Sequence, residues 1–287
     1  MVLGEFVGNE HTKLSLLAAI SCGRLSHGLV IAGQKGFGVN CFARLLAAEI
    51  VGKTPGEKQL VLKGESPLVQ VITGEGASGQ IKVAQIRAVG ENVNFSSLSG
   101  DKRVVIICNC ENFNPASANA LLKSLEEPKD DITFILTTND VSRLLATVRS
   151  RCGVYTLEKP TVQECESFFS FVKDKEMLKE LIEIYDGNIG FIQNAAKNPK
   201  RFEILQKALL ALELIKKRDK YELSKLLFDF NKKKDNFKLF LEDLEYLSQK
   251  NIDGTTVKVL TAIKDLKQSF GANANLALVL QNFVIAV

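Results

Sequence analysis

The 287-residue chain lacks the features that would place it outside the ordinary soluble classes. No apolar run approaches the roughly 18 residues that span a bilayer, so no membrane helix is expected. The opening stretch, MVLGEFVGNEH, carries two glutamates and no basic leader. It does not read as a signal peptide, and the cytoplasm is the expected address. Six cysteines include no C-x-x-C pair, which argues against a disulfide framework. No internal repeat is visible. Charge of one sign is also scarce, with a net charge of only +4. Residues 1–200 balance at 22 basic against 22 acidic, while 201–287 carry 15 against 11. Most of that excess sits in KKRDK (216–220) and NKKKDNFK (231–238). These clusters read as solvated helix faces and loops, or as a surface near nucleic acid or an acidic partner. No aromatic ladder accompanies the lysines, so a base-reading site is not expected.

What is present is a globular composition, 46% apolar and 24% charged, in a chain long enough for two or three domains. The first half alternates short β-rich runs with helical ones, the pattern of a parallel α/β sheet with flanking helices. HGLVIAG, LVQVIT, KRVVIICNC and DITFILTT read as strands. HTKLSLLAAIS, VNCFARLLAAEIVG and NPASANALLKSLEEP read as helices, the last stopped by Pro128. QIKVAQIRAVGENVNF reads as a strand end and a helix, VSRLLATVRSRC as a short helix, and 52–68 as a connection. After Pro160 only helical periodicity remains. It begins with TVQECESFFSFVK, which Thr161 can cap, and EMLKELIEIYDGN is expected to close on Gly187. The expected parts are an α/β domain (1–160), a small helical domain (161–205) and an all-α C-terminal domain (206–287).

The chemistry centres on GQKGFGVNC, Gly33 to Cys41. It follows a strand and opens a helix, the setting of the phosphate-binding loop G-x-x-x-x-G-K-[ST]. Gly33 and Gly38 hold the glycine places, with Gly36 between them, but Val39 stands where the lysine belongs and Asn40 where the hydroxyl belongs. Lys35 lies four residues before the missing lysine and is not expected to replace it. A metal-holding strand should also be present, four apolar residues followed by an acidic pair. Val104–Ile107 supplies the apolar run, but Cys108 and Asn109 fill the acidic places. A thiol and an amide carry no charge, and magnesium prefers hard anionic oxygen. Glu111 lies beyond the strand end and reads as a surface residue. Cys108 and Cys110, on one side of an extended strand, read as packing residues rather than a metal pair. With three groups gone from one pocket, phosphoryl transfer, which depends on positioning and charge neutralisation, is not expected. The backbone amides of Gly36 to Asn40 leave weak anion binding open.

HGLVIAGQKGFGVNCFARLLAAEI, IKVAQIR, NPASANALLKSLEEP, FILTTND and RLLATVRSRC together resemble the bacterial clamp-loader branch of the AAA+ ATPases, and within it the delta-prime subunits of DNA polymerase III. The similarity is dense from Phe6 to Pro160 and diffuse beyond. It implies an AAA+ module with a degenerate phosphate loop, a helical lid and a C-terminal collar. It also implies a hetero-pentameric ring with gamma/tau motor subunits and a delta subunit, acting on a sliding clamp and primer–template DNA. The arginine of SRC, Arg151, corresponds to the family's arginine finger, which reaches the ATP site of the adjacent motor subunit. A guanidinium suits that task because its planar, always charged fork matches phosphate oxygens. Motor subunits carry a γ-phosphate-sensing arginine in the lid, and the matching stretch here, DGNIGF, puts Gly190 at its place. Asn139, with Thr138 beside it, lies near the first sensor position. Many members carry a four-cysteine zinc module, but residues 51–80 contain no cysteine, so no zinc is expected. ATP and magnesium are accordingly expected on neighbouring subunits only. Two other readings stay open: a motor subunit with a non-standard active site, and an inert AAA+ scaffold.

Overall fold

Parallel strands expose two faces that both need covering, so their sequences run apolar without alternation. That is what GLVIA and RVVII show, and in the computed structural model both pair with the strand Ile132–Thr138, which lies between them. The structure describes residues 1–75, 79–92, 101–127, 131–230, 234–250, 252–269 and 276–287. These divide into two compact units: residues 1–173 with 186–190, and residues 174–185 with 191–287.

The first unit runs α1 (Glu10–Ser21), β1 (Gly28–Ala32), α2 (Val39–Val51), α3 (Pro55–Lys63), β2 (Val69–Ile72), α4 (Val83–Asn92) and β3 (Arg103–Ile107). It continues with α5 (Pro115–Glu126), β4 (Ile132–Thr138), α6 (Ala146–Arg149), β5 (Gly153–Thr156) and α7 (Val162–Phe168). The sheet order is β2-β3-β4-β1-β5, all parallel. Gly28 to Ala32 register against Phe134 to Thr138. Side chains alternate faces along each strand. Leu29, Ile31, Val104, Ile106 and Ile135 therefore meet α2 residues Phe42, Leu45 and Leu46 on one side. Val30, Val105, Ile107, Phe134 and Leu136 meet Ile86, Leu121 and Leu125 on the other.

Several expectations need correction. The stretch 52–68 is not a plain connection, because Thr54 caps α3 in a reciprocal pair with Glu57 and Pro55 opens the helix. The fifth strand, Gly153–Thr156, was not foreseen; it is short and half exposed at the sheet edge, so it carries little apolar signal. The strand of KRVVIICNC ends at Ile107. Asn109 then turns left-handed, with φ of 57°. That turn sends Cys108 into one face of the core and Cys110 into the other, so the two thiols do not share a side. Burial pushes both thiols up, as expected of packing residues. VSRLLATVRSRC splits into a 3-10 turn, Val141–Arg143, and α6. Thr161 caps α7 as read, with Glu164 closing a capping box. Pro128, Asn231 to Lys233 and the stretch 271–275 lie outside the described residues.

The described residues of the second unit form helices: α8 (Lys175–Ile184), α9 (Ile189–Lys197, whose first two residues belong to the first unit), α10 (Pro199–Lys217), α11 (Lys220–Phe228), α12 (Lys234–Lys250), α13 (Gly254–Ser269) and α14 (Leu276–Ala286). Helix α8 ends before Gly187; Asp186 and Gly187 both follow in left-handed conformation. Helix α10 is unbroken through position 205, and the further division of the second half is carried below as a proposal. Among the described residues no helix is long and apolar enough to cross a membrane.

Inside this unit lies a buried ion pair. Arg201 of α10 makes two hydrogen bonds to Asp243 of α12. The Tyr185 hydroxyl donates to the same carboxylate at 2.8 Å. Burial and the neighbouring carboxylate together push the Tyr185 phenol well above its ordinary value. Tyr185, Phe191 and Tyr246 close around the pair with ring centroids 5.0 to 5.5 Å apart. Removing one partner leaves the other charge buried and uncompensated. Asp243→Ala is therefore expected to lower the unfolding free energy by about 3–5 kcal/mol. Urea denaturation followed by circular dichroism checks this.

Candidate functional site

The strand order puts β4 between β1 and β3, so the carboxyl ends of all three open on one edge. In parallel α/β sheets ligands bind at that edge. Gly33 follows β1, and its N–H donates to the Thr138 carbonyl at 3.2 Å. Gly38 caps α2 in left-handed conformation, φ 77°. Phe6 stands next to Gly38 and meets Phe42 edge-on, ring centroids 5.0 Å apart. Val39, at the lysine place, is a buried core side chain. Lys35 contributes its carbonyl, which accepts from the Asn188 side chain at 2.8 Å.

Asn40 and Asn109, the two amides read as replacing metal-handling groups, are brought together by a residue that the sequence reading passed over. Thr137 of β4 donates its hydroxyl to Asn40 Oδ1 at 2.5 Å. Asn40 Nδ2 donates to Asn109 Oδ1 at 3.4 Å, and Asn109 N–H donates back to Thr137 Oγ1 at 3.0 Å. The three groups form a closed neutral ring that satisfies itself. The available signal was the pair of threonines that ends the strand ITFILTT after the apolar run Phe134–Leu136. Glu111 is not in this ring. Its carboxylate accepts from Asn139 N at 3.2 Å and from Asn139 Nδ2 at 2.9 Å. Thr138 exchanges hydrogen bonds with Asp140 and so finishes the strand.

The segment 186–190 reaches the loop from within the same unit. Gly190 N–H donates to the Gly36 carbonyl at 3.0 Å. The fully buried Asn188 lies beside Gly36, whose φ is +94°. A Cβ on Gly36 would overlap the Asn188 carboxamide, and one on Gly190 would lie 2.8 Å from the Gly36 carbonyl oxygen. Gly190 is therefore required by close backbone approach, and Gly36 by its left-handed φ and the Asn188 carboxamide beside it. The residues present do not fit a magnesium–triphosphate. The cation place is neutral and self-bonded, the lysine place is core, and the chain's own backbone lies against the loop.

Arg151 stands away from this edge, in the turn between α6 and β5. Its guanidinium bonds Glu126 Oε1 at 2.8 Å, the Thr147 carbonyl at 3.0 Å and Ser150 Oγ at 3.4 Å. Glu126, at the end of α5, is a second residue the sequence reading missed. Of the basic clusters, Lys216 and Lys217 face Asp253 and Glu213 at 4.0 and 3.9 Å. Lys220 donates to the Ile285 carbonyl at 3.1 Å, so part of that charge is taken up within the unit.

Residues 8–161 match the protein family described as DNA polymerase III, delta subunit. The delta-prime subunit of DNA polymerase III from Escherichia coli K12 is 32% identical over 164 residues, covering 54% of this chain and 49% of that one. The gamma subunit from Buchnera aphidicola of Acyrthosiphon pisum is 28% identical over 181 residues, covering 61% of this chain and 50% of that one. The match thus spans about half the length of these relatives. A solved DNA polymerase III gamma subunit-related protein from Thermotoga maritima has the same fold, with a TM-score of 0.57 at 20% identity over 95% of this chain and 97% of that one.

The glycine junction makes a direct prediction. Gly190→Arg, which restores the residue type expected of a motor subunit, drives a side chain into the loop backbone. It is expected to destabilise the protein by about 1–3 kcal/mol and to confer no ATP turnover. Chemical denaturation and a phosphate-release assay on the purified variant check the two halves.

Proposed function

Because the chain belongs to the DNA polymerase III delta subunit family, we propose that it is a delta-prime-type subunit of a clamp loader, inactive toward ATP itself. It serves an adjacent ATPase subunit through Arg151, its arginine finger. The observation that carries this reading is a contrast inside one unit. The phosphate loop is neutralised by the Asn40–Thr137–Asn109 ring and held against residues 188–190. The SRC arginine keeps a surface position. In this reading residues 161–205 are the lid, with Gly190 at the lost sensor place, and 206–287 the collar. Its partners are gamma/tau motor subunits and a delta subunit in a hetero-pentameric ring. The ring places a sliding clamp on primer–template DNA in the cytoplasm. ATP and magnesium sit on the neighbours. Exposed apolar residues at helical spacing, Tyr221 and Phe228 on α11 and Leu278 and Ile285 on α14, support a collar that buries these helices in an assembly.

The relatives include gamma and tau subunits, which favours a motor subunit as the second reading. A motor here needs a cation and a carboxylate from elsewhere in the chain, with Lys35 the nearest cation to the loop.

Co-purification with candidate motor and delta subunits, followed by ATPase assays with clamp and primed DNA, separates the readings. Fingers in other nucleotide hydrolases are worth roughly a thousandfold or more in rate. Arg151→Ala is therefore expected to slow hydrolysis at the site it serves by at least about tenfold, with assembly intact. The isolated wild-type chain is expected to release no phosphate. Turnover by the isolated chain that disappears in Lys35→Ala selects the motor reading. Unchanged activity in Arg151→Ala selects an inert scaffold.

A further inference from the structure

We propose that Glu126 is a positioning residue for Arg151, fixing the plane of its guanidinium while leaving part of its donor fork available to a phosphate oxygen. The inference rests on the finger reading above.

Arg151 is anchored at both ends. At its base, the Arg151 N–H donates to the Val148 carbonyl at 3.2 Å. The turn closes onto the start of β1 because Gly28 has no side chain. A Cβ there would lie 2.9 Å from Cys152 Sγ and 3.2 Å from the Arg151 carbonyl oxygen. At its head, Nη2 pairs with Glu126 Oε1 at 2.8 Å, while Nη1 donates to the Thr147 carbonyl at 3.0 Å. A guanidinium has five N–H donors in a rigid plane. Nη1 donates to Thr147 and, at longer range, to Ser150, while Glu126 lies in ion-pair contact with Nη2. Nε–H and the second Nη2–H have no acceptor among the described residues, and these adjacent donors can meet a phosphate oxygen pair.

The glutamate has no local reason to be where it is. Helix α5 ends on Glu126 and Glu127, where the helix dipole favours cations. Nor does the pair serve the core, since the two side chains are 36% and 48% exposed, and exposed pairs add little stability. What the contact does accomplish is to remove rotational freedom from a long side chain before a reacting partner arrives.

The test uses the reconstituted assembly with motor subunits, clamp and primed DNA. The chain is wild type, Glu126→Gln, Arg151→Ala or the double variant. Each is first shown to co-purify with its partners. Glu126→Gln is expected to lower kcat for ATP about two- to fivefold, the scale of an exposed ion pair, with KM for ATP unchanged. Glu126→Asp, which keeps the charge, is expected to recover part of that loss. In the Arg151→Ala background Glu126→Gln is expected to change nothing further. Three outcomes overturn the proposal while leaving the finger in place: Glu126→Gln at the wild-type rate, an equal loss with and without Arg151, or a rate above wild type, which would mean that Glu126 sequesters the arginine. An Arg151→Ala assembly with full activity overturns the finger and this proposal together.

Discussion

The carboxyl edge of the sheet is held by a hydroxyl. Thr137 lies on the strand between the loop strand and β3, which ends at Ile107, and it binds Asn40 after the first and the Asn109 N–H after the second. A buried polar group that lacks a partner costs about 1–3 kcal/mol; the fully buried Thr137 avoids that cost through the half-buried Asn40 and Asn109. The ring does this with no ion. A magnesium site built from the same three positions would need anionic oxygen and a water shell. The strand order that would assemble such a site assembles a neutral cluster instead, because two side chains are amides.

Next to the ring, steric fit decides what the loop can do. Gly190 approaches the Gly36 backbone too closely to carry a Cβ, and Asn188, which donates to Lys35 O, fills the space a Cβ on Gly36 would need. Gly36, between the two glycines of the phosphate-loop pattern, thus has a physical reason of its own. In a working loop the glycines let backbone amides approach phosphate. Here Gly36 lets the chain approach itself. That account also covers Gly190, which the family resemblance alone reads as a missing arginine.

Much of this was legible from residue pattern. The strands β1 to β4, the major helices of the first unit and the Thr161 cap follow from apolar runs, helical periodicity and capping chemistry. The absent lysine, hydroxyl and acidic pair were plain from spacing. What escaped notice involved contacts between distant segments or signals too short to read. Helix α3 hid behind Gly56 and a run of charged residues, although Thr54 and Glu57 form a capping box. Strand β5 is too short and exposed to carry a period. One left-handed residue, Asn109, separated two cysteines that an extended strand would have aligned. Thr137, Asn188 and Glu126 lie within the stretches FILTTND, DGNIGF and NPASANALLKSLEEP, but nothing in the sequence names their partners, which strand order and the 186–190 segment bring to them.

The two halves of the proposed chemistry are physically separable, and this explains how one can be lost and the other kept. Arg151 is held by Gly28, Val148, Thr147 and Glu126, residues at the amino end of β1, in α6 and at the end of α5. The loop is held by Thr137, Asn188 and Gly190 at the opposite, carboxyl end of the strands. The two sets share no residue. Sites without shared partners behave nearly additively, so substitutions that neutralise the loop leave the arginine's geometry alone. A protein that only lends a cation to a neighbour needs rigidity at the arginine and has no need of charge in its own loop.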